Sequence, residues 1–90
     1  MAEPRVTVEF YGVPRVRACR AEIIVSASTV AEALGAVAFA CPALVDVVQC
    51  DGRLAPHYLL SLDGERFLTD LNQPLSPGDR LLLLSADIGG

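Results

Sequence analysis

The 90-residue chain contains no lysine and no tryptophan, and it has only one histidine and three cysteines. All seven basic residues are arginines, which lie scattered along a chain of formal net charge -4. Binding to nucleic acid depends on a row of cations that neutralises phosphates, so this composition predicts no nucleic-acid partner. Without lysine, the chain cannot form lysine-linked chains on itself.

These shortages also argue against a metal site or an active site within the chain. Three cysteines at irregular spacing and one histidine do not make a zinc site, and an iron-sulfur cluster of the ferredoxin type needs four cysteine ligands. We interpret Cys19, Cys41 and Cys50 as reduced packing residues and His57 as a structural or rim residue. Cys50-Asp51 upstream of His57 could form a nucleophile with a base, but no pocket is implied there. We therefore predict no catalytic residue, no metal and no bound cofactor.

The longest uncharged run, residues 33–45, is too short to cross a bilayer and contains Pro42. The N-terminal residues lack a basic segment followed by an apolar run, so no secretory signal is expected. Hydrophobic residues make up 52% of the chain, enough for one modest core. We expect a single cytoplasmic domain over residues 1–90 without a membrane role, ending in a flexible tail at about residues 86–90.

The first half of the chain predicts two strands and a helix. Residues 5–11 alternate apolar and polar side chains, and residues 17–25 alternate again, which predicts a hairpin of two strands. Thr29 followed by Glu32 is a capping-box pattern, and the apolar stripe behind it predicts a helix that ends before Pro42. The stripe consists of Val30, Leu34, Val37 and Cys41. Phe39 lies on the opposite side, where it either packs under residues 44–48 or is exposed; we favour packing.

The second half predicts three more strands. Residues 57–62 lead into Asp63-Gly64, a strong two-residue hairpin signal, and into a short strand at residues 66–68. Ser76-Pro77-Gly78-Asp79 suits a type II turn before a last strand that begins at Arg80. With one helix to cover one face of the sheet, and with the first and last strands adjacent, this order predicts an α+β β-grasp fold with a mixed sheet of four to five strands.

The chain ends in Asp87-Ile88-Gly89-Gly90, close behind the last strand. Two residues without Cβ atoms form a thin thread that can enter a narrow channel and bring a carboxylate to a nucleotide phosphate. Alternatively, the two glycines are a frayed end or a remnant of cloning.

Together these segments resemble the small ubiquitin-like sulfur carriers, which include the small subunit of molybdopterin synthase and the carrier of the thiamine pathway. The resemblance covers nearly the whole chain and is carried by four segments. These are Val6-Thr7-Val8-Glu9-Phe10-Tyr11-Gly12, Thr29-Val30-Ala31-Glu32-Ala33-Leu34, Pro74-Leu75-Ser76-Pro77-Gly78-Asp79 and Gly89-Gly90.

The resemblance implies a carrier that is not itself an enzyme. A ubiquitin-activating-type adenylyltransferase would use ATP to adenylate the Gly90 carboxylate, a sulfur donor would convert it to a thiocarboxylate, and an acceptor synthase would receive the sulfur. Gly89 and Ile88 would form the tail that enters these enzymes. The resemblance also places Leu82 and Leu84 on the outward, partner-binding face of the last strand, with Leu81 and Leu83 in the core; a shift of one residue would exchange the two pairs.

The segment before the glycines departs from the molybdopterin-type carriers, which usually have a Pro-Pro segment where this chain has Ser85-Ala86-Asp87-Ile88. Molybdopterin synthesis is the favoured pathway, and thiamine or another sulfur-containing metabolite stays open. A ubiquitin-like modifier conjugated through Gly90 and a non-covalent β-grasp binding module are the two alternative functions.

Overall fold

The computed structural model describes residues 4–48 and 53–85. Its elements in chain order are strand β1 (Arg5–Phe10), helix α1 (Val13–Ala18), strand β2 (Glu22–Ser26), helix α2 (Val30–Ala40), a 3₁₀-helix (Pro42–Val47) and strands β3 (Tyr58–Leu62), β4 (Arg66–Phe67) and β5 (Arg80–Ser85). The strands form one five-stranded sheet in the order β2-β1-β5-β3-β4.

The first and last strands lie side by side at the centre of the sheet. β1 pairs with β5 in parallel, with Val8 opposite Leu81 and Phe10 opposite Leu83. The other pairs, β1 with β2, β5 with β3 and β3 with β4, are antiparallel. This is the β-grasp arrangement that the sequence predicted.

Helix α2 covers one face of the sheet and begins where the capping box predicted. Thr29 Oγ1 accepts a hydrogen bond from the Glu32 backbone N–H at 3.2 Å, and a Glu32 carboxylate oxygen accepts one from the Ser28 N–H at 2.8 Å. The apolar stripe is buried between helix and sheet, where Val30, Leu34 and Val37 are 0 to 1% exposed. Hydrogen bonds from the backbone and the side chain of Ser28 lower the pKa of Glu32.

The segment after β1 contains a helix where a strand was expected, and this prediction was wrong. Residues 17–21 alternate in sequence, but Pro14 in the first turn of α1 favours a helix start, and Pro14 and Ala18 form its buried face. Cys19 ends the helix in a left-handed conformation with φ 57° and is exposed, so it is not a packing residue. β1 and β2 do pair antiparallel, but across a long connection instead of a tight hairpin.

The expectation for Phe39 was also wrong, because its side chain is 90% exposed. Leu44 and Val47, supplied by the 3₁₀-helix, fill the core beside α2 in its place. Phe39 follows the buried Val37 by two residues, which turns it to the far side of the helix.

Both predicted turns form, but the first connection is one residue longer than the two-residue hairpin expected. Asp63 and Gly64 have φ values of 55° and 73°, the left-handed pair of a type I′ turn, and Leu62 pairs with Arg66, so residues 63–65 connect the strands. In the second turn the Asp79 N–H donates to the Ser76 carbonyl at 3.0 Å, with Gly78 at φ 90°. In the described part of the chain, no helix is long and apolar enough to cross a membrane.

Candidate functional site

The candidate site surrounds the end of β5, which precedes the predicted C-terminal tail in sequence. Ser85 is the last residue of this strand and pairs with Tyr58 of β3. The predicted tail residues Ile88, Gly89 and Gly90 lie outside the described residues, so their role stays a prediction. The structure defines the surface from which that tail starts.

Gly12 allows α1 to start immediately beside this strand end. Its backbone has φ 66° and ψ -134°, a conformation that side chains strongly disfavour. A Cβ at this position would also lie 3.4 Å from Ser85 Cβ. The backbone conformation therefore requires a glycine at position 12, where the residue after β1 lies against the end of β5.

The four leucines of β5 alternate between the two faces of the sheet as expected. Leu81 and Leu83 are fully buried under the helix, whereas Leu82 and Leu84 are half-buried on the opposite face. A shift of one residue along β5 would have exchanged the two pairs, and the structure shows the arrangement that was predicted. The assignment of Leu82 and Leu84 to a partner interface stays a prediction.

Two further apolar residues extend this surface, and sequence reasoning missed both. Leu59 pairs opposite Leu84 and is 39% exposed; Phe67 lies across Ser61 from Leu82 and is 65% exposed. We call the surface made by these four residues the outer patch: Leu59, Phe67, Leu82 and Leu84. The alternation of residues 57–62 could have identified Leu59, but a two-residue strand has no periodicity that could identify Phe67.

A polar network borders the outer patch on the side of β1. The Glu9 carboxylate accepts hydrogen bonds from the Tyr11 hydroxyl and from Arg80 Nη1, and Arg80 lies 3.8 Å from a carboxylate oxygen of Glu22. The Tyr11 hydrogen bond, followed by that of Arg80, lowers the pKa of Glu9. The hydrogen bond to Glu9 is the main reason that the pKa of Tyr11 is raised. The outer patch thus has a polar rim in which the charges are already paired.

A second network fixes the surface directly beside the strand end. Arg17 Nη1 donates to Asp46 Oδ2 at 2.9 Å and to the Tyr58 hydroxyl at 2.6 Å, and that hydroxyl donates to Asp46 Oδ1 at 3.2 Å. These three residues come from α1, the 3₁₀-helix and β3. The network therefore joins three segments around the residue that pairs with Ser85. The sequence carried no signal for it, because the partners are 12 to 41 positions apart.

Burial and hydrogen bonds determine which groups of this network are charged. Burial of the Asp46 carboxyl opposes ionisation, but hydrogen bonds from Arg17 and Tyr58 outweigh it and lower the pKa of Asp46. Burial and then the Asp46 charge raise the pKa of Tyr58, so its hydroxyl stays a donor at neutral pH. Asp46 and Arg17 thus form an ion pair bridged by a neutral phenol.

His57 lies at the rim of this region, as expected. Its ring contacts the Tyr58 ring with centroids 4.5 Å apart, and its Nε2 is 3.7 Å from Asp46 Oδ2. Together with Val13, Arg17 and Ser85, these rings line a shallow concavity of about 160 Å³. Cys50 and Asp51, which the sequence could have paired with His57 as a nucleophile and base, lie outside the described residues. Within residues 4–48 and 53–85, no three His, Cys, Asp or Glu side chains are grouped as metal ligands would be.

Comparison with solved structures shows what the whole arrangement is similar to. The crystal structure of SAMP1 from Haloferax volcanii superposes with a TM-score of 0.82 at 27% sequence identity, covering 96% of this chain and 98% of that one. The fold is the ubiquitin-like β-grasp. A second crystal structure, of H. volcanii small archaeal modifier protein 1, gives a TM-score of 0.75 at 27% identity over 89% of this chain and 94% of that one. The solution structure of SAMP1 from Methanosarcina acetivorans gives 0.81 at 20% identity over the full length of both chains.

No protein-family model and no curated protein matches this chain. The structural neighbours are thus small archaeal modifier proteins, and a likeness to the small subunit of molybdopterin synthase in particular is not shown.

Proposed function

We propose that the chain is a ubiquitin-like carrier whose Gly90 carboxylate is adenylated and then converted to a thiocarboxylate that donates sulfur. The observation that carries this proposal is the position of β5: the strand that precedes the tail in sequence is the central strand of a β-grasp sheet, and its outer face carries an apolar patch that a partner can cover. The likeness to small archaeal modifier proteins supports a function that depends on the C-terminus.

The chemistry requires an external enzyme. A Gly90 carboxylate oxygen attacks the α-phosphorus of ATP, pyrophosphate leaves, and the acyl-adenylate is a good electrophile. Hydrosulfide then adds to the carbonyl, AMP leaves with the electron pair of the C–O bond, and an ionised thiocarboxylate remains. A ubiquitin-activating-type adenylyltransferase supplies the first step, a sulfur donor the second, and an acceptor synthase consumes the product. We favour molybdopterin as the product, with thiamine as the alternative, and a cytoplasmic location for the reaction.

A second function uses the same activation and ends on an amine. Here Gly90 would form an isopeptide bond with a target lysine. The names of two similar structures, both small archaeal modifier proteins, support this function at least as well as they support sulfur transfer. The absence of lysine from this chain would then limit it to single attachments or to chains built on other proteins.

Intact mass tests the proposal directly. The protein is incubated with ATP, sulfide and the ubiquitin-activating-type adenylyltransferase of the same organism, and replacement of one oxygen by sulfur adds roughly 16 Da. A variant extended by one residue beyond Gly90 is the control, since it keeps the fold but has no carboxylate on Gly90. No mass gain with the wild-type chain, or an equal gain with the extended one, would overturn the sulfur-carrier proposal. Adducts in cell extract that resist thiols would favour the modifier, and full function after deletion of Gly89 and Gly90 would favour a non-covalent binding module.

The outer patch gives a second test of partner binding. Leu82→Asp should weaken binding of the activating enzyme or the synthase about tenfold or more, because it places a charge in an apolar interface. Leu83→Ala is the matched core variant and should instead lower the free energy of unfolding by about 2–5 kcal/mol, since Leu83 is fully buried. Calorimetric titration and urea unfolding separate the two effects. Unchanged affinity in a folded Leu82→Asp variant would remove Leu82 from the interface.

A further inference from the structure

Helix α1 and the turn that follows it concentrate positive charge on an otherwise acidic protein. Three of the seven arginines, Arg15, Arg17 and Arg20, lie within six consecutive residues, and all three are exposed. Val13 and Val16 of the same segment are also exposed, Val16 to 76%. We call this surface the α1 patch: Val13, Arg15, Val16 and Arg20.

Contacts within the protein account for only one of the three arginines. Arg17 is engaged by Asp46 and Tyr58 in the network described above. Arg15 and Arg20 make no side-chain hydrogen bond or ion pair with any residue in the described ranges 4–48 and 53–85. Arg15 lies within α1, and Arg20 lies beyond the helix end. Two guanidinium groups are thus available to a partner.

The α1 patch is continuous with the proposed tail surface. Val13 and Arg17 line the concavity that includes Ser85 at the end of β5. On the other side, Arg15 is near the Tyr11 hydroxyl at the polar rim of the outer patch. The positive charge of Arg15 lowers the pKa of Tyr11, although the Glu9 hydrogen bond has a larger effect and raises it. An enzyme that surrounds the first residues of the tail must therefore pass close to α1.

We propose that the α1 patch docks against an acidic surface of the enzyme that activates the C-terminal carboxylate, with Arg15 and Arg20 supplying the charge complementarity. The inference rests on the proposed function and adds to it a second contact, separate from the outer patch. A protein surface fits better than nucleic acid, because the α1 patch holds only two cations without a partner among the described residues, and its exposed valines suit an interface with apolar parts. Such rim charges act mainly on the association rate and make it sensitive to salt.

The test compares two double charge reversals that change the net charge equally. Arg15→Glu/Arg20→Glu alters the α1 patch, while Arg5→Glu/Arg66→Glu alters exposed arginines at the opposite end of the sheet, near the start of β5. KM and kcat for adenylation are measured by ATP–pyrophosphate exchange with the activating enzyme of the same organism, from low to high sodium chloride. Thermal unfolding establishes that both variants are folded.

We expect the α1 variant to raise KM roughly tenfold at low salt with little change in kcat. Its KM should not rise with salt as that of the wild type does, because salt now screens a repulsion. The control variant should follow the wild type. Equal KM values for the α1 variant and the wild type, or an equal rise in the control, would overturn the docking proposal while leaving the proposed function intact. Failure of the wild-type chain to be adenylated at all would instead overturn the proposed function, and this inference with it.

Discussion

Two identical substitutions, Gly12→Ala and Gly35→Ala, should change stability in opposite directions. Gly12 has φ 66° and ψ -134°, where an alanine costs about 1–3 kcal/mol of strain. The lower entropy of the unfolded chain returns about 0.4–1 kcal/mol. The close approach to Ser85 Cβ at 3.4 Å adds little, so a net loss of about 1–2 kcal/mol is expected.

Gly35 lies in the interior of α2, and a Cβ there would meet nothing within 4 Å. Alanine exceeds glycine in helix propensity by about 1 kcal/mol, so Gly35→Ala should stabilise the protein by nearly that amount. For a domain of this size the melting temperature should fall by about 5–15 °C in the first variant and rise by about 4–8 °C in the second.

Urea unfolding followed by far-UV circular dichroism measures both changes, and equal slopes for the variants and the wild type would show that the surface exposed on unfolding is unchanged. A Gly12→Ala variant as stable as the wild type would refute the assignment of a glycine-dependent turn beside Ser85. A destabilised Gly35→Ala variant would refute the open space assigned to that face of α2.

Two further outcomes follow from the hydrogen-bond networks. Tyr58→Phe should lower the free energy of unfolding by about 1–2 kcal/mol, because the hydroxyl joins Arg17 to Asp46 in a part-buried site. Tyr11→Phe on the exposed surface should cost less than about 0.5 kcal/mol. Equal losses in urea unfolding would contradict this. The pKa values of Asp46 and Glu9 are lowered in the folded state, so their stabilising contribution is present above the unfolded values near pH 4 and is lost as pH falls through the lower folded values. Thermal unfolding from pH 6 down to pH 2.5 should show this loss as a falling melting temperature. In an Asp46→Asn variant the melting temperature should fall less steeply with pH. A fall as steep as that of the wild type would show that Asp46 does not contribute to the loss of stability in acid.

Features encoded locally were predictable. The cap at Thr29, the turn at Asp63-Gly64 and the turn around Gly78 each depend on two to four neighbouring residues, so their residue types are sufficient to predict them. The alternation in β1 and the run of leucines in β5 identified a half-buried strand and a central strand for the same reason. Because few topologies accommodate this order of elements, the β-grasp fold could be predicted from the sequence.

Contacts between distant segments were not predictable. A six-residue helix is too short for its period to be distinguished from the alternation of a strand, so α1 was mistaken for part of β2. Phe39 points outward because it follows the buried Val37 by two residues in α2, and Leu44 and Val47 of the 3₁₀-helix fill the core instead.

The sequence by itself determined most of the strands, the start of α2 and the alternation of the leucines around Leu82, because each is set by residues that are close along the chain. The order of these elements then led to the β-grasp prediction. Only the tertiary structure decided the surroundings of the strand end. Arg17, Asp46 and Tyr58 come from three segments, and the α1 patch acquires its position beside Ser85 only when α1 packs against β5. Side-chain charges and hydroxyls carry no information about their partners until folding brings those partners within hydrogen-bonding distance.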